Sequence, residues 1–185
     1  MSLGLFGGTF DPPHRGHVEL ARQAKTKLGL GRLLVLVAAA PGHKDVTTPA
    51  DVRLRLARAA FPEDEVILDE HARTIDMLEA HPEWDDPLFL IGADEFCDFP
   101  SWKRPADVLA RTRLAVATRP GFPREWLEAV LARLAHPERV LFFDLEPMPT
   151  ASRDLRARLE DGDDVGDELP AAVREIIRRE RLYRG

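Results

Sequence analysis

Residues 3–17 read LGLFGGTFDPPHRGH and bring three local patterns together. Leu3–Phe6 form a short apolar run typical of a buried strand, and the glycines and prolines that follow predict a loop. A helix is expected to begin near Arg15 or Gly16. A strand that leads through a glycine-containing loop directly into a helix is the opening unit of an α/β fold.

His14 and His17 lie at the end of this loop, and their spacing alone leaves three interpretations open. A zinc site needs further ligands at suitable spacing, and the remaining histidines and Cys97 form no such pattern. A proline-rich turn with incidental histidines is the second interpretation. A phosphate site is the third, because glycines allow close approach and a helix N-terminus attracts anions. The place of the loop, directly after the first strand, favours phosphate.

Apolar segments of strand length alternate with segments of helical period along the rest of the chain. This βαβαβ alternation predicts the α/β class, with a doubly wound, mainly parallel, Rossmann-like sheet and C-terminal helices. The apolar spacing from Leu169 to Ile177 predicts an amphipathic final helix. No repeat or linker divides the chain, so residues 1–185 are expected to form a single domain. The predicted strands are Leu3–Phe6, Leu33–Ala39, Val66–Leu68, Leu88–Ile91, Leu114–Ala117 and Val140–Phe143.

The charge balance weighs against a nucleic-acid-coating protein, since 26 basic residues face 32 acidic ones and the net charge is −6. Neither a nucleic acid nor a membrane is expected as a partner, and no run approaches the roughly 18 apolar residues of a membrane span. Cys97 is the single cysteine, so no internal disulfide can form and a cytoplasmic location is expected. An anionic ligand must therefore be bound by local groups.

The segment from Gly8 to His17 fits G-x-F-x-P-x-H-x-G-H and resembles the HxGH nucleotidyltransferase superfamily. The resemblance implies that His14 and His17 are catalytic: they bind a nucleotide triphosphate and stabilise the transition state as pyrophosphate leaves. No covalent enzyme intermediate is implied. Transfer at phosphorus depends on positioning and on neutralisation of charge, which agrees with this role.

Further segments resemble the bacterial nicotinate mononucleotide adenylyltransferases over almost the whole chain. They are APGHKD at 40–45, RTIDML at 73–78, LIGADEF at 90–96, Trp102-Lys103, Arg119-Pro120-Gly121 and the closing REIIRRERLYR at 174–184. The resemblance implies ATP contacts from Gly7, Gly8, Thr9, Phe10, Gly16, His17, Gly92, Asp94, Ser152 and Arg156. It implies a phosphate contact from Lys44 and contacts to nicotinate mononucleotide from Thr74, Trp102 and Arg119.

Two segments depart from that family's pattern. In TASRDLR at 150–156, an alanine and Arg153 replace hydroxyl residues, so fewer hydroxyl contacts to phosphate are expected. Thr150 is expected to cap a helix there, with Asp154 and Arg158 spaced for a surface ion pair. In RTIDML, Arg73 and Met77 replace a tyrosine and a threonine, which is expected to alter the nicotinate side of the pocket.

The resemblance implies adenylyl transfer from ATP to nicotinate mononucleotide, giving deamido-NAD and pyrophosphate, with Mg²⁺ bound to ATP and no metal-ligating side chains. Two alternatives stay open. One is a related HxGH transferase that uses nicotinamide mononucleotide or phosphopantetheine as acceptor. The other is a nucleotide-binding regulator without turnover, suggested by the altered TASRDLR segment.

Overall fold

A six-stranded parallel sheet forms the centre of the molecule, with strand order β3-β2-β1-β4-β5-β6. The computed structural model describes residues 2–41, 46, 48–146 and 151–184. The strands are β1 Ser2–Gly8, β2 Leu30–Ala38, β3 Glu65–Asp69, β4 Leu88–Gly92, β5 Arg113–Thr118 and β6 Val140–Asp144. The predicted doubly wound α/β fold is confirmed, and all six predicted strands are present.

Helices cover both faces of the sheet, which explains why the strands are continuous apolar runs. The helices are α1 Arg15–Leu28, α2 Ala50–Ala60, α3 Thr74–Ala80, α4 Ala93–Asp98, α5 Pro105–Arg111, α6 Arg124–Leu131, α7 Ser152–Glu160 and α8 Ala171–Glu180. Ala24, Leu56 and Val173, from α1, α2 and α8, belong to the core on one face. Ile75, Phe96 and Val108, from α3, α4 and α5, belong to the core on the other. In the described part of the chain, every helix is too short or too polar to span a bilayer.

The first strand is longer than the apolar run predicts. It was expected to end at Phe6, but Gly7 and Gly8 continue it and pair with Leu36 and Val37 of β2. The backbone ladder does not depend on side chains, so glycines can extend a central strand when its neighbours hold it. A Cβ atom on Gly8 would lie 2.8 Å from the Phe10 ring, which explains the absence of a side chain there.

The predicted cap of α7 is wrong: the helix begins at Ser152 and its N-cap residue is Ala151. The alanine side chain cannot accept a hydrogen bond from the first turn, so propensity pointed to Thr150 instead. Thr150 itself lies outside the described residues, as do His43 and the predicted phosphate contact Lys44. Helices α4, α5 and α6 were not predicted, because at six, seven and eight residues they are too short to show a helical period clearly.

The strand order reverses between β1 and β4, because the chain moves outward from β1 in one direction and returns to β4 on its other side. In doubly wound sheets, ligands bind in the crevice beyond the carboxyl ends of the strands at this point. The loop after β1 and the start of α4 after β4 therefore flank the expected site.

Candidate active site

The two histidines of the opening loop lie side by side at the N-terminus of α1. His14 is the N-cap residue, and its backbone N–H donates to Nδ1 of His17 over 3.2 Å. Because Nδ1 accepts this bond, a neutral His17 ring carries its proton on Nε2, which is then a donor. The two ring centroids lie 3.8 Å apart, and the first turn of α1 has no acidic residue. The helix thus presents two imidazoles and its positive end at one point, an arrangement that suits phosphate.

Burial determines the protonation state of His14. The residue is 6% exposed, and its Nδ1 atom has no hydrogen-bond partner among the described residues. Burial lowers the pKa of His14 from 6.5 to about 4, while the Glu168 carboxylate acts in the opposite direction. The ring is therefore neutral at pH 7. Buried polar atoms are almost always paired, so the unpaired nitrogen indicates a place where a ligand would complete the bonding.

The loop of residues 9–14, here called the phosphate loop, is fixed beneath the histidines by Phe10. This residue has φ of 52°, in the left-handed region that is costly for a bulky side chain. Its ring is buried and packs edge-to-face against Phe6, Phe61 and His17, with centroids 5.4, 5.7 and 5.1 Å away. Phe10 therefore supports the site through packing, in addition to the backbone contact that the sequence predicts.

The start of α7 binds the phosphate loop from a distant part of the chain. Ser152 Oγ donates to the carbonyl of Pro12 over 2.9 Å. Arg156 Nη1 donates to the carbonyl of Asp11 over 2.6 Å and lies 3.9 Å from its carboxylate. The structure thus brings both predicted residues to the histidine loop, where they contact its backbone.

The predicted surface pair of Asp154 and Arg158 is wrong. Arg158 instead pairs with Glu168 and donates to the carbonyl of Asp164. The acidic stretch at 160–168 includes a 3₁₀ helix, Gly166–Glu168, that packs against α1. Buried Val165 anchors it, and this packing places Glu168 close enough to act on the pKa of His14.

Arg53 is a site-building residue that the sequence analysis missed. It is 1% exposed and donates to the carbonyls of Thr9, Ala38, Ala39 and Thr48 over 2.7–3.1 Å. Burial lowers the pKa of its guanidinium, and Asp11 opposes that shift. One side chain therefore joins the loop after β1 to the chain after β2. The sequence signal for this role is a charged residue on the apolar face of α2, because Arg53 lies three residues before Leu56 and four residues before Ala57.

The other side of the crevice carries residues predicted to bind nucleotide. Gly92 ends β4 and is the N-cap residue of α4, while Asp94 follows in the first turn. The exposed side chains of Asp94 and Arg119 meet at 3.5 Å, although the sequence assigned them to different ligands. The ends of β4 and β5 are therefore joined at the surface of the crevice.

Thr74 and Trp102 lie on segments that the fold brings together. Thr74 begins α3, and Asp76 in its first turn pairs with Lys103 at 2.7 Å. The Trp102 ring packs edge-to-face on Phe99, with centroids 5.2 Å apart, so part of it belongs to the core. Met77 is almost fully buried, so its replacement of threonine changes core packing and not the pocket surface, contrary to expectation. Arg73 is exposed next to Thr74.

The described residues contain no cluster of three or more His, Cys, Asp or Glu that could hold a metal ion. The three other histidines that the structure describes have local partners. His71 bonds to Asp69 at 2.8 Å, His81 stacks on Trp84 with centroids 4.1 Å apart, and His136 pairs with Glu138 at 3.2 Å.

Comparison with known proteins supports one relationship. A family model described as cytidylyltransferase-like matches residues 5–158. Two curated relatives, both named "Probable nicotinate-nucleotide adenylyltransferase", align over nearly their full length. The one from Solibacter usitatus is 37% identical over 99% of this chain and 100% of its own. One from Thermus thermophilus is 35% identical over 100% of both chains.

Solved structures share the fold. Plasmodium falciparum nicotinic acid mononucleotide adenylyltransferase complexed with NaAD matches with a TM-score of 0.76, covering 98% of this chain and 97% of that chain. The same enzyme complexed with APC gives a TM-score of 0.73. The sequence identities are 17% and 18%, so the likeness shows a common architecture.

Proposed function

This chain belongs to the cytidylyltransferase-like family, and from that membership and its histidine loop we propose that it transfers the adenylyl group of ATP to nicotinate mononucleotide. The products are deamido-NAD and pyrophosphate, and the reaction is a step of NAD biosynthesis. A cytoplasmic location is part of the proposal, supported by a single cysteine that cannot form an internal disulfide.

Adenylyl transfer needs positioned cations and hydrogen-bond donors more than it needs a general base. An oxygen of the mononucleotide 5′-phosphate attacks the α-phosphorus of ATP, and the bond from that phosphorus to the bridging oxygen of the β-phosphate breaks. The attacking oxygen is already ionised, so no proton has to be removed from it. In-line placement of the two phosphates supplies much of the acceleration.

The observation that carries the proposal is the pair of imidazoles at the N-terminus of α1, beside the crevice where the strand order reverses. His17 would donate through Nε2, and His14 would bring its unpaired ring nitrogen to the triphosphate. Both contacts strengthen as charge grows on the departing pyrophosphate. Arg156, together with Lys44, is proposed to add positive charge.

Gly7, Gly8, Thr9, Phe10, Gly16, Gly92, Asp94 and Ser152 are proposed to form the ATP side of the crevice. Thr74, Trp102 and Arg119 are proposed to form the acceptor side. The contact between Asp76 and Lys103 supports this division, because it joins the segments of Thr74 and Trp102.

Mg²⁺ is proposed to arrive bound to the triphosphate. The imidazole, guanidinium and backbone N–H groups around the phosphate loop suit phosphate oxygens and not a hard cation. The ion would therefore be coordinated by ATP and water, where it neutralises charge on the leaving pyrophosphate.

A substrate panel tests the function. The purified protein is mixed with ATP and Mg²⁺ and with nicotinate mononucleotide, its amide or phosphopantetheine, and pyrophosphate release is followed. We expect kcat/KM to be highest for the acid, by about tenfold or more over the amide. Both oxygens of the acid's carboxylate can accept from N–H groups at the start of α3, whereas an amide replaces one of these acceptors with an NH₂ donor and loses the negative charge.

Each competing function has its own outcome in the same assay. Faster turnover with the amide or with phosphopantetheine would identify a related transferase. ATP binding without pyrophosphate release from any acceptor would identify the nucleotide-binding regulator.

A further inference from the structure

Tyr183 lies in the short segment that follows α8 and makes a long-range contact with the phosphate loop. Its hydroxyl donates to Asp11 Oδ1 over 2.6 Å, across 172 residues of sequence. Burial, followed by the hydrogen bond to Asp11, raises the pKa of this phenol well above its ordinary value of 10. The hydroxyl is therefore protonated and a donor throughout the physiological range.

Asp11 lies between Phe10 and Pro12 and is only 1% exposed, which is unusual for an acidic residue. Among the described residues, its Oδ2 atom has no hydrogen-bond partner. A buried carboxylate is costly unless it is paired or hydrogen-bonded. The hydrogen bond from Tyr183 therefore helps to fix the position of the Asp11 side chain and of the loop backbone attached to it.

The phosphate loop is held at three of its backbone carbonyls by side chains from distant elements. Arg53 of α2 binds the carbonyl of Thr9, Arg156 of α7 binds that of Asp11, and Ser152 binds that of Pro12. Tyr183 is the contribution of the segment after α8, and its hydroxyl bonds to the side chain of Asp11, which Arg156 also approaches to 3.9 Å. His14 follows in the same loop, so a shift at Asp11 moves the imidazole that faces the ligand.

We propose that Tyr183 is a positioning residue for the triphosphate, acting through Asp11 to hold the phosphate loop and His14 in place. The proposal rests on the proposed function for the identity of the nucleotide. It assigns a role to the last residues of the chain, which lie far from the histidines in sequence.

The test uses Tyr183→Phe, which keeps the ring and removes only the hydroxyl. Thr112→Val is the matched control, because Thr112 is also buried and its hydroxyl donates to the Pro87 carbonyl over 2.6 Å, at the amino-terminal ends of β4 and β5. Calorimetry measures the affinity of each full-length variant for MgATP alone and for nicotinate mononucleotide alone, so that no turnover occurs. Pyrophosphate release with both substrates is measured separately.

We expect Tyr183→Phe to weaken MgATP binding about fivefold or more and to lower kcat/KM for ATP about tenfold, a size typical of a small displacement in a positioned site. The affinity for nicotinate mononucleotide should stay unchanged, and Thr112→Val should alter neither affinity. If Tyr183 had only a structural role, Tyr183→Phe would weaken the binding of both ligands equally, or Thr112→Val would change the two affinities as Tyr183→Phe does. Either of those results would overturn the proposal.

Asp11→Asn provides a second, independent arm. The amide oxygen can still accept from Tyr183, but the bond is no longer charge-assisted and is weaker. In the double variant, the loss of MgATP affinity should be smaller than the sum of the single losses, because both changes act on one contact. Additive losses would contradict the proposal. A wild-type protein that binds MgATP but releases no pyrophosphate would refute the proposed function and leave the binding test of Tyr183 intact.

Discussion

We propose two separable tasks for His17, because its Nδ1 caps α1 while its Nε2 is left to donate to the triphosphate. We expect His17→Gln to keep an acceptor for the His14 N–H, since glutamine is a common partner at this capping position. Its free energy of unfolding should stay within about 0.5 kcal/mol of wild type, while kcat falls about 10²-fold through loss of a transition-state donor. Urea unfolding and pyrophosphate release measure the two effects. A folded variant with near-normal kcat would show that the imidazole is not catalytic.

His14→Ala should also lower kcat by about 10²-fold, for the same reason. The comparison control is His136→Ala, because His136 is exposed and pairs with Glu138 far from the loop in sequence. Steady-state kinetics on both variants measure the difference. Equal kcat for the two variants would contradict the assignment.

The lowered pKa of His14 also predicts a pH dependence of stability. Below pH 6.5 the unfolded chain binds a proton at His14, but the folded protein keeps this ring neutral down to about pH 4. The unfolded state then binds more protons, so stability falls as the pH is lowered through this window, by about 2 kcal/mol at pH 4.5. His14→Asn, which places a favoured residue at the N-cap position, should lack this part of the loss.

Urea unfolding of wild type and His14→Asn at pH 7 and pH 4.5 measures that difference. The acidic residues titrate in both proteins, so they cancel in the comparison. An identical loss of stability in wild type and variant would mean that His14 is not neutral in the folded protein.

At the scale of elements, the start of α7 is predicted to complete the phosphate site through Arg156. Lysine at this position retains the charge but cannot bind the Asp11 carbonyl and a phosphate oxygen with the geometry of a planar guanidinium. We expect Arg156→Lys to lower kcat/KM for ATP about tenfold, or roughly 1.4 kcal/mol. Arg153→Ala should have a smaller effect of the same sign.

Arg32→Lys is the control for this substitution, because Arg32 forms its ion pair with Glu65 where β2 and β3 begin. Arg158 cannot serve as a control for Arg156. It binds Glu168, and removing it would change the charge beside His14. Equal kcat/KM for Arg156→Lys and Arg32→Lys would exclude α7 from the triphosphate site.

At the scale of the whole molecule, the two terminal regions are packed into one core. Leu169 and Val173 are fully buried in the same cluster as Ala24 and Leu56, and Arg55 of α2 pairs with Glu180 of α8 at 2.8 Å. We therefore propose that residues 1–185 unfold as a single domain. Leu169→Ala should lower stability by about 2–5 kcal/mol and keep a single transition.

Far-ultraviolet circular dichroism and tryptophan fluorescence should give the same midpoint for both proteins in urea. Two separate transitions in either protein would show that the C-terminal helices unfold independently of the sheet. Saturating MgATP should raise the midpoint, because it binds the folded state alone.

The sequence by itself determined the class of fold and predicted where the candidate site lies. The six strands and the helix after His14 are local features, and their apolar runs, glycines and helical spacing act over a few residues at a time. The loop from Gly8 to His17 is equally local, so its residue types predicted a phosphate site before any contact was known. The extra strand residues Gly7 and Gly8 were missed because the ladder to β2, and not their own propensity, extends the strand.

Only the tertiary structure decided which distant groups build that loop. Tyr183 reaches Asp11, Arg53 reaches Thr9, and Arg158 takes Glu168 in place of the nearby Asp154. These partners depend on how the helices pack around the sheet, and sequence spacing carries no information about that packing. The same packing turned Met77 into the core and buried His14 deeply enough to keep it neutral. Burial and long-range hydrogen bonds are properties of the assembled chain, which is why they set the chemistry of a candidate site that a short local motif had only predicted.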